Sequence, residues 1–269
     1  MRQINFFTVV LLCTSPLFAQ TEQLTIPLTN PGKTYTLDVK LLNGSIQVSS
    51  YPGTELIIES VVSYPQNDSE NKKTVDGMQR ISRKGSYEIT ANENNNVVSV
   101  HNNSVDQVIK LSIKVPQQSV NLKLSTVNEG DITAENLTGE LEINNVNGAI
   151  TVSNISGSVV ATTVAGDIKI NFKTVDPNTA MAFSSLSGDI DIVLPPDIKA
   201  NLKLKSDMGQ IYSDFDMVID KSQPKVNRTN QSDVYKLEFE DWVYGKLNGG
   251  GSQLIMKNMQ GDIYIRKLK

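Results

Sequence analysis

Apolar and polar residues alternate along this chain in short runs, and between Gly130 and Ile170 a glycine closes the run at every ninth position: 130, 139, 148, 157 and 166. Within each nonamer the apolar residues hold the third, fifth and eighth places. They are Ile132/Ala134/Leu137, Leu141/Ile143/Val146, Ile150/Val152/Ile155, Val159/Ala161/Val164 and Ile168/Ile170, with Thr, Ser, Asn, Glu and Lys between them. The third and fifth places are two apart and share one face of a strand. An extended nonamer would run roughly 30 Å at about 3.3 Å per residue, so the regular glycine, with Asn, Ser or Thr beside it, predicts a turn between strands. One such unit cannot bury its apolar side alone. The units are therefore expected to stack on one another, with the apolar places inward.

The same grammar recurs outside this block. Gly44-Ser-Ile46-Gln-Val48-Ser-Ser-Tyr51 obeys it and is followed by Gly53, and Leu56–Val62 follows one step out of phase. Ile109–Val115 and Leu122–Val127 alternate, with lysines at the outward places that are expected to keep a strand from pairing with other molecules. Beyond Ile170 the steps lengthen, but Gly188-Asp-Ile190-Asp-Ile192, Gly209-Gln-Ile211 and Gly261-Asp-Ile263-Tyr-Ile265 still conform. Residues 65–105 break the pattern with polar runs, and Tyr87–Thr90 and Val97–Val100 read there as a hairpin edge. No stretch holds a helical period over a dozen residues. These patterns predict an all-β chain: a single-stranded right-handed β-helix, or β-solenoid-like repeat fold, with an inserted loop-hairpin region at 65–105. A twisted sandwich or mixed roll is the alternative.

Composition adds location and excludes some partners. The chain has 269 residues, 39% hydrophobic and 20% charged, enough for a real core in one domain or two smaller ones. Its net charge of −4 argues against nucleic acid as a ligand. Residues 1–19 read as an export signal: Arg2, an apolar run Ile4–Leu12, and a Ser15–Ala19 cleavage region, leaving 20–269 as the mature domain. The apolar run is too short for a transmembrane helix, and no integral membrane segment is expected after signal removal. The sole cysteine, Cys13, falls inside the signal, so the mature chain has no disulfide. Leu11-Leu12 stand where a lipidation motif wants a small residue, which weighs against lipidation at Cys13. Export without disulfides fits a bacterial envelope, in the periplasm or at the cell surface of a Gram-negative cell.

Candidate chemistry is sparse. Calcium-binding nonapeptide rolls need a regular ladder of acids, but here Asp131 and Asp167 alternate with Glu140, Ala149 and Ser158 at the same place, and Gln253 follows the Gly249–Ser252 run. Asp189 with Asp191, and Asp214 with Asp216, are two apart and face one side of a strand. Such pairs suit acid–base hydrolysis or equally a solvated outer face. His101, the one histidine, has no second ligand residue nearby for a metal, and no Gly-x-Ser-x-Gly elbow or phosphate loop occurs. Lys72, Lys73, Arg80, Arg83 and Lys84 form a basic group that reads as a solvated face, with an acidic glycan as the other reading. The one aromatic and acidic cluster supplies the candidate ligand-binding residues Glu238, Glu240, Asp241, Trp242 and Tyr244. Its rings could stack on sugars, although a strand whose Trp242 caps the core is the simpler reading. No catalytic, cofactor or metal residue is assigned.

The Gly-Asp-Ile-x-Ile units at Gly166, Gly188 and Gly261 and the similar Gly130-Asp-Ile-Thr-Ala134, two of the four having Val or Leu two residues before the glycine, resemble the bacterial putative-adhesin family of β-strand repeats, a domain of unknown function. They are also similar to the related head domain named for Gly-Ile-Asn, found in exported proteins of Bacteroidetes-like bacteria. The resemblance is clearest over 120–269. It implies a β-helical fold, an envelope location and no catalytic set to transfer. The expected function is an exported, non-enzymatic interaction module whose partner is an envelope, glycan or host-surface ligand. A glycan-active lyase or hydrolase working in a β-helical groove, with Asp189, Asp191 or the Glu238–Tyr244 group as candidates, and a passive envelope scaffold are the alternatives.

Overall fold

The computed structural model describes residues 22–63, 88–102, 107–220 and 242–269, together with the backbone of the strands at 74–75, 78–79, 225–231 and 234–240. The export signal with Cys13, and the basic group from Lys72 to Lys84, lie outside the described residues. Among the described residues all regular structure is β: one 19-stranded sheet and two separate two-stranded ribbons.

Two nonamers, not one, make a turn of the fold. Ile132–Glu135 lies parallel to Ile150–Ser153, and Thr138–Asn144 lies parallel to Ser156–Thr162. Each residue therefore stacks on the one 18 positions away. The result is a solenoid-like pair of parallel stacks. The front stack carries the strands that follow a corner glycine, with Ile46, Ile132, Ile150, Ile168, Ile190 and Ile263 in register and fully buried. The back stack carries the strands between, where Leu37, Leu122, Leu141 and Val159 line up, as do Met181, Leu254 and Leu202. Both rows enter one core. Alternation at period two puts the third and fifth places inward in every coil, which is why the pattern shows so clearly in the sequence.

The corner glycines form a column of their own. A Cβ built on Gly148 would lie 2.2 Å from the Gly130 carbonyl oxygen, and one on Gly166 would lie 2.1 Å from that of Gly148. Successive coils pass too closely at this edge for any side chain, and Gly148 also holds φ 146°. The opposite edge is turned differently: Asn136 and Asn154 take left-handed angles of 57° and 55°, and the Asn154 amide donates to Asn136 Oδ1. Gly139 and Gly157, although nine residues from the corner glycines, sit inside back-stack strands.

The eighth place does not always point inward, which corrects the expectation for half of the units. Leu137 and Ile155 are buried, but Val146 and Val164 are 37% and 41% exposed. The seat inside that corner belongs to the residue before them. Asn145 Nδ2 donates to the Gly130 carbonyl (3.0 Å) and Thr163 Oγ1 to that of Gly148 (3.2 Å). Thr126, Ser185, Asn258 and Ser206 do the same for Gly44, Gly166, Gly188 and Gly261. A buried polar column thus lines the glycine corner, satisfying carbonyls that the sharp turn removes from the ladder.

Chain order and stacking order differ at both ends. Tyr35–Tyr51 is clamped between Val97–Pro116 on one side and Ser119–Glu135 on the other. Val97–His101, which the sequence places in the 65–105 insertion, pairs with Thr90–Asn94 as a hairpin but also parallel to Thr36–Lys40, so it belongs to the coils. At the other end Ser252–Lys267 lies between the coil 181–194 and the coil 200–213. The lysines expected to guard an edge stand instead on the outer face of interior strands, where Lys114 meets Glu59 at 3.2 Å and Lys123 meets Glu142 at 3.5 Å.

Candidate functional site

The predicted aromatic cluster is only partly assembled. Val243–Leu247 runs antiparallel to Ala200–Leu204, and this register sets Tyr244 opposite Lys203 on the outer face of the back stack. Lys203 Nζ lies 4.4 Å from the centroid of the Trp242 ring and 5.8 Å from that of Tyr244. Both rings are half-buried. The lysine thus occupies ring surface that a sugar would otherwise meet, a cation–π contact that the sequence reading missed because it depends on strand register. Glu238 and Glu240 belong to the ribbon strand Val234–Glu240, which pairs with Lys225–Gln231. Their side chains, and Asp241, lie outside the described residues.

A second aromatic group, not singled out by the sequence reading, stands at the end of the front stack. The fourth place of each unit faces outward, and register places Thr133, Thr151, Lys169, Asp191, Tyr264 and Tyr212 in one row. The Tyr212 and Tyr264 rings stack with centroids 5.3 Å apart and planes 12° from parallel. Arg266 lies over Tyr264 at 4.9 Å and its Nε donates to Asp191 Oδ1 at 2.8 Å. The Tyr264 hydroxyl donates to Asp262 Oδ2 at 3.0 Å. That bond raises the tyrosine pKa, and the Asp191 contact raises that of Arg266. Tyr212 is half exposed on the terminal strand Ile211–Ser213, whose described pairing is with Ile263–Ile265 alone. The arrangement is a braced aromatic platform with charges of both signs at its margin. Aligning the units on their glycines is the signal that would have found it.

The aspartates that follow corner glycines have a structural task. Asp131 Oδ1 accepts the Ala149 amide, Asp167 Oδ1 that of Asp189, Asp189 Oδ1 that of Asp262, and Asp262 Oδ1 that of Gln210, all at 2.8–3.0 Å. Each carboxylate caps the corner amide of the neighbouring coil, so the Gly-Asp pair is one device repeated. The Asp189 amide, followed by Lys169, holds the Asp167 carboxyl below its ordinary pKa. The carboxylates paired by spacing are thereby separated in role: Asp189 caps an amide and Asp191 holds Arg266. Asp214 Oδ2 accepts the Lys267 amide at 3.4 Å, while Asp216 is exposed. His101 is exposed at a strand end.

Comparison with known proteins gives a family rather than a ligand. No curated protein matches the chain. Among solved structures, a crystal structure named as a putative cell adhesion protein from Clostridium sporogenes is similar, with 13% identity and a TM-score of 0.44, covering 93% of this chain and all of that one. The family model described as Toastrack DUF4097 matches residues 3–241. That match spans most of the front and back stacks, and the chain belongs to the Toastrack DUF4097 family.

Proposed function

We propose that this chain is an exported, non-enzymatic interaction module of the bacterial cell envelope, of the kind suggested by its resemblance to putative-adhesin and head Gly-Ile-Asn repeats, and that it binds glycan through its outer face. The observation that carries this reading is the stacked Tyr212–Tyr264 pair, exposed at one end of the front stack and braced by Arg266 and Asp191. A rigid ring face beside fixed donors and acceptors suits a pyranose, whose C–H face stacks and whose hydroxyls bond at the rim. The non-enzymatic reading is supported by the engagement of Asp189 and Asp191 in separate structural contacts. Retaining or inverting hydrolysis asks for two carboxyls facing each other across a cleft. We read the winding as a single-stranded right-handed coil, the hand that parallel crossovers overwhelmingly adopt. The signal-like residues 1–19 support export, to the periplasm or cell surface of a Gram-negative cell.

A glycan array probed with residues 20–269, followed by titration of the best polysaccharide, tests the proposal. Binding is expected without release of reducing ends, and Tyr212→Ala is expected to weaken it about tenfold while leaving the far-UV spectrum unchanged. Depolymerisation abolished by Asp189→Ala, absence of saturable glycan binding, or binding indifferent to Tyr212→Ala would each overturn it.

A further inference from the structure

The corner opposite the glycine column changes character along the chain. At Asn136 and Asn154 it is a tight turn, but in the later coils it is replaced by three longer segments: 176–180, 195–199 and 248–251. These lie side by side and are tied together. Ser252 Oγ donates to the Pro177 carbonyl, and Asn248 Nδ2 donates to the carbonyls of Pro196 (3.1 Å) and Ile198 (2.8 Å). Asn201 Nδ2 donates to the Gly251 carbonyl. Pro177, Pro195 and Pro196 fix φ within two of the three segments. Between the first two of these segments, the strand end 173–175 and Ser252–Leu254 is a cleft of about 370 Å³, within the size range of small-molecule sites.

The lining of this cleft says what would fill it. Its apolar floor is formed by Met181, Ala200 and Leu254, the leading inward side chains of three neighbouring strands, and Val175 and Ile198 flank it against the core. Among the described residues no aromatic ring lines it. Lys173 and Lys199 stand among the lining residues, and neither makes an ion pair with a described residue. Of the two acids there, Asp176 is turned onto its own loop, accepting the Asn178 amide at 2.9 Å and the Thr179 hydroxyl at 2.7 Å. Asp197 is exposed. An aliphatic floor with two exposed lysines in its lining that pair with no described acid is complementary to a ligand that carries a carboxylate beside a short aliphatic body.

The geometry points to a binding site in this cleft for small aliphatic carboxylates, the apolar body resting on Met181, Ala200 and Leu254 and the carboxylate held by Lys173 and Lys199. The walls are pre-tied by hydrogen bonds and proline, so little ordering would accompany binding. The same chemistry is offered by a free acyl acid and by the C-terminal residue of a peptide. The site is separate from the Tyr212 platform and does not depend on glycan binding.

The test is calorimetric titration of residues 20–269 with four probes: N-acetyl-leucine, its uncharged amide, octanoate, and a tetrapeptide ending in leucine. Saturable binding of at least one carboxylate probe is expected, with the amide weaker by about tenfold. The double variant Lys173→Ala/Lys199→Ala is expected to erase that difference without lowering the thermal midpoint, since both lysines are exposed. Tighter octanoate binding would identify an acyl source and tighter tetrapeptide binding a chain terminus, and either would sustain the site. No saturable binding of any carboxylate up to about 10 mM, equal affinity for the amide, or carboxylate affinity unchanged in the double variant would overturn it.

Discussion

The polar column inside the glycine corner makes a quantitative prediction at Asn145. Its Nδ2 donates to the Gly130 carbonyl at 3.0 Å, while its Oδ1 is buried and has no partner among the described residues. The same seat one coil on is filled by Thr163, whose hydroxyl makes the equivalent bond to Gly148. Asn145→Thr therefore keeps the donor and removes the orphan acceptor. An unsatisfied buried polar atom costs about 1–3 kcal/mol, and a β-branched residue suits a strand. Against this stands a small loss of volume. The net expectation is a gain of about 1 kcal/mol, or about 2–4 °C in melting midpoint for a chain of this size. Asn145→Ala is the control: it removes the donor too, leaves the Gly130 carbonyl unpaired, and should cost about 1–3 kcal/mol. Equilibrium urea unfolding of the three proteins decides the matter. If the threonine variant were the less stable of the two substitutions, the corner would not be organised around donation to glycine carbonyls.

Two further predictions concern the corner itself. Gly148→Ala sets a Cβ 2.2 Å from the Gly130 oxygen at φ 146°, and should cost about 3 kcal/mol or more, whereas Gly32→Ala, at φ 84° with open space around it, should cost about 1 kcal/mol; paired urea titrations would show the contrast. The Asp167 carboxyl is held below its ordinary pKa by the Asp189 amide and Lys169, so its contribution is complete above the unfolded value of about 3.9 and is lost as pH falls through the lowered folded value. Urea midpoints should accordingly drop between about pH 4 and pH 2, less steeply in Asp167→Asn than in the parent chain.

What the sequence disclosed depended on whether the information was local. The third and fifth places point inward in every coil because strand alternation has period two, so Ile132, Ile150 and Ile168 could be assigned to the core from spacing alone. Val146 could not be distinguished from Leu137 in this way, because one precedes a corner turned by glycine and the other follows a left-handed asparagine. The distinguishing mark is the residue before the valine: Asn145 and Thr163 take the inward seat because a glycine carbonyl there lacks a donor. Trp242 and Tyr244 were visible as an aromatic pair, but Lys203 was not, since its approach depends on the antiparallel register of distant strands. Tyr212 and Tyr264 lie far apart in sequence and meet only because their two coils are neighbours.

That adjacency shows how the order of stacking, as distinct from the order of the chain, shapes the surface. Every coil presents the same inward grammar, so burial alone does not dictate which coil stacks on which. In the fold Ser252–Lys267 enters between the coils 181–194 and 200–213. Inserted there, the last coil has both hydrogen-bonding edges covered, and its Tyr264 is brought against Tyr212, its Arg266 against Asp191 and its Asp262 against the amide of Gln210. Had the coils stacked in chain order, Tyr212 and Tyr264 would still be neighbours, but Tyr212 would lie between Tyr264 and Asp191 and Arg266 would stand a coil away from Asp191. The intercalation therefore does two things at once. It covers both hydrogen-bonding edges of the strands at 252–267, and it braces the aromatic platform through Arg266 and Asp191 and sets Leu254 beside Met181 in the carboxylate cleft, contacts that chain order would keep apart.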